Sequence, residues 1–105
     1  MFIDDAVEAI YSIFNLDVNF EIFNIGTGLP TTTNELISVC EEVIGSKIKI
    51  KNIDSIRGDA HFAGIADTSK IRLATGWESK TLLRQGIKQT LDYMINNPYF
   101  VQEID

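Results

Sequence analysis

The residues best suited to chemistry lie in one short stretch, which holds Arg57, Asp59 and His61, the only histidine of the chain. Gly58 and Gly64 lie in the same stretch, and glycine allows a backbone to turn tightly or to approach a ligand closely. An arginine fork can grip phosphate oxygens, and an aspartate can accept hydrogen bonds from hydroxyl groups. The stretch is therefore a candidate loop for a phosphorylated ligand. An exposed Arg–Asp pair on an ordinary loop is the simpler alternative, because such pairs are common and contribute little.

The elements that would position this loop follow from hydrophobic periodicity and capping signals. Helices are predicted at 4–15, 33–44, 68–75 and 82–96, and strands at 20–25 and 47–53. The first strand is apolar on both faces, as in a buried strand of a parallel sheet, while the second alternates strictly and suits a sheet edge. The sequence therefore predicts a single α/β domain over residues 1–105, with a loosely attached tail at 98–105.

Capping residues and apolar faces give these helices definite ends and orientations. Capping boxes are predicted from Asp5 to Glu8 and from Thr32 to Glu35, and Thr81 is predicted to cap the last helix. The inward sides are predicted to be formed by Val7, Ile10, Tyr11 and Phe14, by Ile71 and Ala74, and by Leu83, Ile87, Leu91, Met94 and Ile95. A modest core is expected, as suits a chain of 105 residues.

Composition argues against several classes of protein. The net charge of −6 argues against a nucleic-acid partner, since a phosphate backbone attracts basic patches. No apolar run has the length of a membrane span, and Asp4 and Asp5 interrupt the start where a signal peptide would lie. These two aspartates could form a metal or acid–base pair, but a charged helix N-terminus is simpler, and no metal site is predicted. Cys40 is the only cysteine, so a reducing cytoplasm is the expected compartment.

A second glycine-containing turn, Asn24-Ile-Gly-Thr-Gly28, joins the first strand to the second helix. A strand, a Gly-x-Gly turn and a helix are the order of a dinucleotide-binding fingerprint. The third glycine of that fingerprint is missing and Pro30 stands in the turn. We therefore interpret these residues as a tight turn and predict no cofactor-binding residues in this chain.

Several pieces of the sequence carry a family resemblance when they are taken together. They are Phe2–Ile10, Phe23–Gly28, Thr33–Leu36, Arg57–Asp59, Ala66–Lys70 and Gly76–Trp77. In this order they resemble the C-terminal third of the NAD-dependent sugar-nucleotide epimerases and dehydratases. These are extended short-chain dehydrogenases, and the UDP-glucose 4-epimerases are members of that family.

The resemblance implies that catalysis and NAD binding belong to a Rossmann domain outside these residues. That domain would carry the glycine turn for NAD and the catalytic Tyr-x-x-x-Lys pair, and this sequence contains neither. The resemblance is already at full strength at Phe2, so we expect the chain to be part of a longer enzyme. We expect it to contribute nucleotide-sugar binding, with a UDP-sugar as ligand, and to catalyse nothing alone.

The resemblance also assigns the substrate-binding residues. Family members read Arg-x-Gly-Asp, whereas here Arg57 directly precedes Gly58, so the spacing is one residue short. Arg57 is expected to hold the diphosphate, since Asp67 follows it by ten positions as in the family. Asp59 is expected near the ribose. Gly64, or Ala63 in a shifted register, is expected beside the sugar ring, where a small residue implies a tolerant pocket.

Two other functions remain open at this point. The chain could be a stand-alone binding module for a nucleotide or sugar phosphate, or an interaction protein that kept the fold and lost the ligand. The sugar, the base and the reaction, whether epimerisation, dehydration or reduction, are not fixed by these residues. Because two strands form only a marginal sheet, we also expect the strand at 20–25 to pair with a second copy of the chain.

Overall fold

The computed structural model describes residues 1–53 and 64–100, the last of them by its backbone only. Four helices follow one another along the chain: α1 (Ile3–Phe14), α2 (Thr33–Ile44), α3 (Ser69–Thr75) and α4 (Leu83–Asn96). A short 3-10 turn, Pro98–Phe100, follows α4. The helix α1 packs against α3, and α2 packs against α4. All four predicted helices are confirmed to within one residue at each end.

The ends of α2 are set by local signals that the sequence displays. The Thr32 hydroxyl accepts a hydrogen bond from the Glu35 backbone N–H at 3.1 Å, and the Glu35 carboxylate accepts one from the Thr32 N–H at 2.6 Å. These two bonds form the predicted capping box. At the other end Gly45 has a φ of +78°, a left-handed conformation that glycine adopts without strain.

The start of α1 differs from the prediction. The capping residue is Phe2, which makes no side-chain hydrogen bond to the helix. The predicted capping box from Asp5 to Glu8 is wrong, because Asp5 lies inside the first turn and its carboxylate binds a distant loop instead. Thr81 does not cap α4 either, since the capping residue there is Leu82 and no side chain caps it.

The core of the described residues is small. Ala9, Ile71 and Trp77 are its buried residues, and Ile13, Phe23 and Ile25 pack against them while partly exposed. Ile71 is fully buried, as predicted for the inner side of α3, whereas Ala74 is exposed. The core therefore lies where α1, α3 and the segment at 23–25 meet.

The outer face of α1 is apolar and exposed, which corrects the predicted orientation of this helix. Val7, Ile10, Tyr11 and Phe14 are between 56% and 84% exposed. The buried face contains Asp5 and Ala9 instead. Apolar residues occur on both sides of α1, and α3, with 7 residues, covers only one of them. On α4, Ile87, Leu91 and Met94 are partly buried, whereas Leu83 and Ile95 are exposed.

The two predicted strands are not formed within residues 1–53 and 64–100, where no strand occurs. A β-strand needs a neighbouring strand for its backbone hydrogen bonds, and the segments at 20–25 and 47–53 do not pair with each other. The Ile48 N–H donates instead to the Glu41 carboxylate at 3.0 Å. Sequence alternation indicates which residues suit a strand, but it does not show whether a neighbour is present.

Candidate functional site

Most of the predicted site lies outside the described residues. Arg57, Asp59 and Ala63 belong to the stretch that the structure does not describe, and Gly64 is the first residue after it. Gly64 is exposed, and its predicted place beside the sugar ring stays a prediction. The structure therefore shows how the loop is held on the side that leads into α3.

The segment after Gly64 is fixed by a turn at the start of α3. The Asp67 carboxylate accepts hydrogen bonds from the Ser69 backbone N–H at 2.9 Å and from the Ser69 hydroxyl at 2.6 Å. The bonds from the Ser69 hydroxyl and backbone, with a smaller contribution from the charge of Arg72, hold the pKa of Asp67 below its ordinary value. Asp67 is thus an ionised anchor at the point where the candidate loop enters a helix.

Gly26, in the Gly-x-Gly turn, packs closely against Ala66, which follows the candidate loop. A Cβ added at Gly26 would lie 3.1 Å from the Cβ of Ala66, which is closer than ordinary contact. Ala66 precedes the anchoring aspartate, and Gly26 lies in the turn that ends at Gly28. The close packing of these backbones places the segment leading out of the predicted ligand loop beside the Gly-x-Gly turn, and it favours glycine at position 26.

A buried carboxylate joins α1 to the loop that precedes α4. Asp5 is 3% exposed, and its Oδ2 accepts hydrogen bonds from the Ser79 hydroxyl at 2.8 Å, the Lys80 N–H at 3.2 Å and the Thr81 N–H at 2.9 Å. Burial by itself raises the pKa of Asp5, but the bonds from Thr81, Ser79 and Lys80 outweigh it and lower the pKa below its ordinary value. Asp5 is therefore a structural anion.

Trp77 strengthens the same connection. Its indole Nε1 donates a hydrogen bond to the Asp5 backbone carbonyl at 3.0 Å, and the residue is 7% exposed. Gly76, with a φ of +75°, ends α3 directly before it. The Gly-Trp pair thus fixes the direction in which the chain leaves α3, and through α3 it supports the candidate loop.

A groove of about 240 Å³ lies on another part of the surface. It is lined mainly by apolar side chains, among them Phe2, Leu29 and Ile87, with Thr27 and Thr81 also in its lining. No residue of 64–68 lines it, so it is separate from the described side of the candidate loop. A Cβ at Gly86 would meet the Phe2 ring at 3.2 Å, so glycine at this position of α4 makes room for that ring.

Sequence reasoning missed the function of two residues. It assigns Asp5 to a helix cap, although the partners of this carboxylate are 74 to 76 positions away. Lys70, on α3, forms an ion pair with Glu21 and contacts the segment at 20–25. The available signal for Asp5 was its position four residues before Ala9, on the same side of α1, while nothing local indicates the partner of Lys70.

Neither a metal cluster nor a membrane-spanning helix occurs in the described part of the chain. Its residues contain no group of three or more His, Cys, Asp or Glu side chains placed to hold a metal ion. None of the helices in residues 1–53 and 64–100 is both long and apolar enough to cross a membrane.

Comparison with known proteins confirms the resemblance that the motifs predict. No family model matches the chain. GDP-L-fucose synthase 1 of Arabidopsis thaliana is 32% identical over 95 residues, which are 90% of this chain and 29% of that protein. UDP-glucose 4-epimerase 2 of the same plant is 27% identical over 96 residues, which are 91% of this chain and 27% of that protein.

The fold is also that of part of a known enzyme structure. The crystal structure of UDP-glucose 4-epimerase from Bifidobacterium longum in complex with NAD+ and UDP matches with a TM-score of 0.76 at 23% identity. The match covers 90% of this chain and 28% of that one. The chain is thus similar in sequence to a part of GDP-L-fucose synthases and UDP-glucose 4-epimerases, and it has the fold of a part of a UDP-glucose 4-epimerase. It spans less than a third of the length of the relatives it matches.

Proposed function

We propose that the chain is the nucleotide-sugar-binding part of an NAD-dependent epimerase or dehydratase, and that Arg57 holds the diphosphate of the ligand. The packing of Ala66 against Gly26 carries this proposal, because it anchors one end of the predicted loop in a fold that matches an enzyme crystallised with UDP. Asp59 would bind the ribose, and Gly64 or Ala63 would lie beside the sugar ring.

The negative charge of the ligand explains why a single cationic side chain, that of Arg57, would matter for binding. A nucleotide diphosphate is an anion, and the chain carries a net charge of −6. Binding therefore requires a local positive group that outweighs the general repulsion. An arginine can form two parallel hydrogen bonds to phosphate oxygens, and such charge-assisted bonds are about twice as strong as neutral ones. Arg57 is the arginine of the candidate loop.

The binding site for NAD and the catalytic residues would lie in sequence outside these 105 residues. This follows from the absence of a Tyr-x-x-x-Lys pair and of a complete dinucleotide fingerprint in this sequence. In the longer enzyme NAD would oxidise the sugar transiently. The residues of this chain would only bind and orient the nucleotide part of the substrate, and a module that binds without catalysis would use them in the same way.

Calorimetry with UDP and with GDP tests the proposal, since the chain is similar both to UDP-glucose 4-epimerases and to GDP-L-fucose synthases. Arg57→Ala is expected to weaken binding at least about tenfold, because loss of a hydrogen bond to a charged group costs about 1.5–3 kcal/mol. Arg84→Ala is the matched control, since it removes the same charge from an exposed residue of α4 that pairs with Glu42. Its affinity should equal that of the wild type.

Two results would contradict the proposal. Equal losses in the two variants would show that Arg57 acts only through net charge. A wild-type chain that binds neither nucleotide at millimolar concentration would show that these residues hold no nucleotide on their own.

A further inference from the structure

Lys70, at the start of α3, binds a segment that lies far from it in the sequence. Its Nζ donates a hydrogen bond to the Ile22 carbonyl at 2.8 Å and forms an ion pair with Glu21. The Glu21 carboxylate accepts a further hydrogen bond from the Ile22 N–H at 3.2 Å. The Lys70 ammonium also lies 5.1 Å from the centre of the Phe23 ring, a cation–π distance. We call this closed set of contacts the Glu21–Lys70 clasp.

The clasp is connected to the core although its two charged residues are exposed. An exposed ion pair contributes little by itself, but here the lysine has three partners at once. One of them, the Phe23 ring, packs against the buried core. The hydrogen bond from Lys70 and that from the Ile22 N–H lower the pKa of Glu21 below its ordinary value, so the carboxylate is ionised at neutral pH. The clasp therefore fastens the start of α3 to a segment that the core holds in place.

Ala66 and Gly26 form a second contact between the same two parts of the chain. A Cβ added at Gly26 would lie 3.1 Å from the Cβ of Ala66. Ala66 lies four residues before Lys70, and Gly26 lies four residues after Ile22. A single contact would let one segment rotate about the other, whereas two separate contacts fix its direction. The stretch from Ala66 to Lys70 is therefore fixed at both ends, and the turn at Asp67 lies between them.

We propose that Glu21 and Lys70 are positioning residues for nucleotide binding. By fastening the start of α3, they fix the direction in which the stretch from Gly64 to Asp67 joins the candidate loop. The inference rests on the proposed function, because that function assigns a nucleotide to this loop. Neither residue of the clasp needs to touch the ligand, since both act through the backbone that they hold.

A direct bond from Lys70 to phosphate is the alternative role for this cation, and the two roles predict opposite effects of Glu21→Ala. In the direct role, the change would free the ammonium and remove a negative charge, so the affinity for the anion UDP would rise. In the positioning role, the same change releases the start of α3, so the affinity falls although the charge has become more favourable. The direction of the change therefore separates positioning from an effect of charge.

Calorimetry with UDP on the whole chain measures this direction. Glu21→Ala and Lys70→Ala are each expected to weaken binding by at least about threefold, as for coupled members of one network. The double variant should lose no more than the weaker-binding single variant, because both changes break the same clasp. Glu42→Ala and Lys88→Ala are the matched controls, since their ion-pair partners lie on α4, and both should bind within about twofold of the wild type.

Three results of the calorimetry would overturn the proposal. The first is a higher affinity of Glu21→Ala than of the wild type, which would indicate that Lys70 binds the phosphate directly. The second is that the two clasp variants bind as well as their controls. The third is that the losses of Glu21→Ala and Lys70→Ala add in the double variant, since independent losses would mean that the two residues do not act together.

NMR relaxation without ligand separates this inference from the proposed function. The backbone order parameters of Ala66 and Asp67 should fall in both clasp variants and stay unchanged in both controls, while that of Ile13 beside the core should not change in any of them. Unchanged order parameters at Ala66 and Asp67 would overturn the positioning role whether or not UDP binds. A wild type that binds no UDP, with order parameters that respond as expected, would contradict the proposed function and support the role of the clasp in holding this stretch.

Discussion

Trp77→Ala is expected to lower the free energy of unfolding by about 3–5 kcal/mol, the usual cost of removing a buried aromatic ring. Trp77 is one of three buried apolar residues in the described core, and its indole also binds the Asp5 carbonyl. Domains are commonly stable by about 5–15 kcal/mol in total, so this loss removes a large share. Urea unfolding followed by far-UV circular dichroism measures it without the tryptophan signal.

Two further variants separate the causes of that loss. Trp77→Phe keeps an aromatic ring and removes the indole donor, so it should cost clearly less than the alanine change. Leu73→Ala removes an apolar side chain from a residue that is 85% exposed and should change stability by no more than about 0.5 kcal/mol. A Trp77→Ala chain as stable as Leu73→Ala would show that the ring is not buried as the structure shows.

Asp5→Asn is expected to lower stability at neutral pH by about 1.5–3 kcal/mol, the range for hydrogen bonds to a charged group. The carboxylate accepts from Ser79, Lys80 and Thr81, and an amide oxygen can replace its position but not its charge. The loop before α4 should loosen first, because Asp5 connects it to α1. Amide exchange at Thr81 would report that loosening directly.

The pH dependence of this effect has a definite sign. The pKa of Asp5 is lower in the folded chain than its ordinary value. The ionised group therefore contributes stability that is fully present above the unfolded-state pKa of about 4. This contribution is lost as the pH falls through the lower folded-state pKa. The difference in stability between the wild type and Asp5→Asn should be largest near neutral pH and should shrink in acid.

Asp4→Asn is the control for this experiment, because it removes the same charge from an exposed neighbour in the same helical turn. It alters only the interaction with the helix dipole, which is worth about 0.3–1 kcal/mol. If Asp4→Asn and Asp5→Asn are equally destabilising, or if the difference from the wild type grows in acid, the role of Asp5 as a buried anion is wrong.

Local signals explain which parts of the fold could be predicted from sequence. The helix α2 begins and ends as expected because Thr32, Glu35 and Gly45 act on the backbone beside them. The orientation of α1 could not be predicted, since both of its sides carry apolar residues and the short α3 covers only one. The segment at 20–25 has the composition of a strand, but pairing depends on a neighbour that local sequence does not specify.

The candidate site likewise has a part that the sequence predicts and a part that it does not. The family motifs indicate the loop around Arg57, and α3 starts within one residue of the position that local helix-start signals predict. The contact between Ala66 and Gly26 joins distant parts of the chain, and periodicity contains no information about it. The roles of Arg57, Asp59, Ala63 and Gly64 stay predictions.

The most direct test of the central claim is a titration of the isotopically labelled chain with UDP, followed through backbone amide NMR signals. We predict shifts concentrated at Gly26, Gly64 and Asp67, and their loss in Arg57→Ala. Shifts confined to the groove residues Leu83 and Ile87, or shifts that persist unchanged in Arg57→Ala, would contradict it.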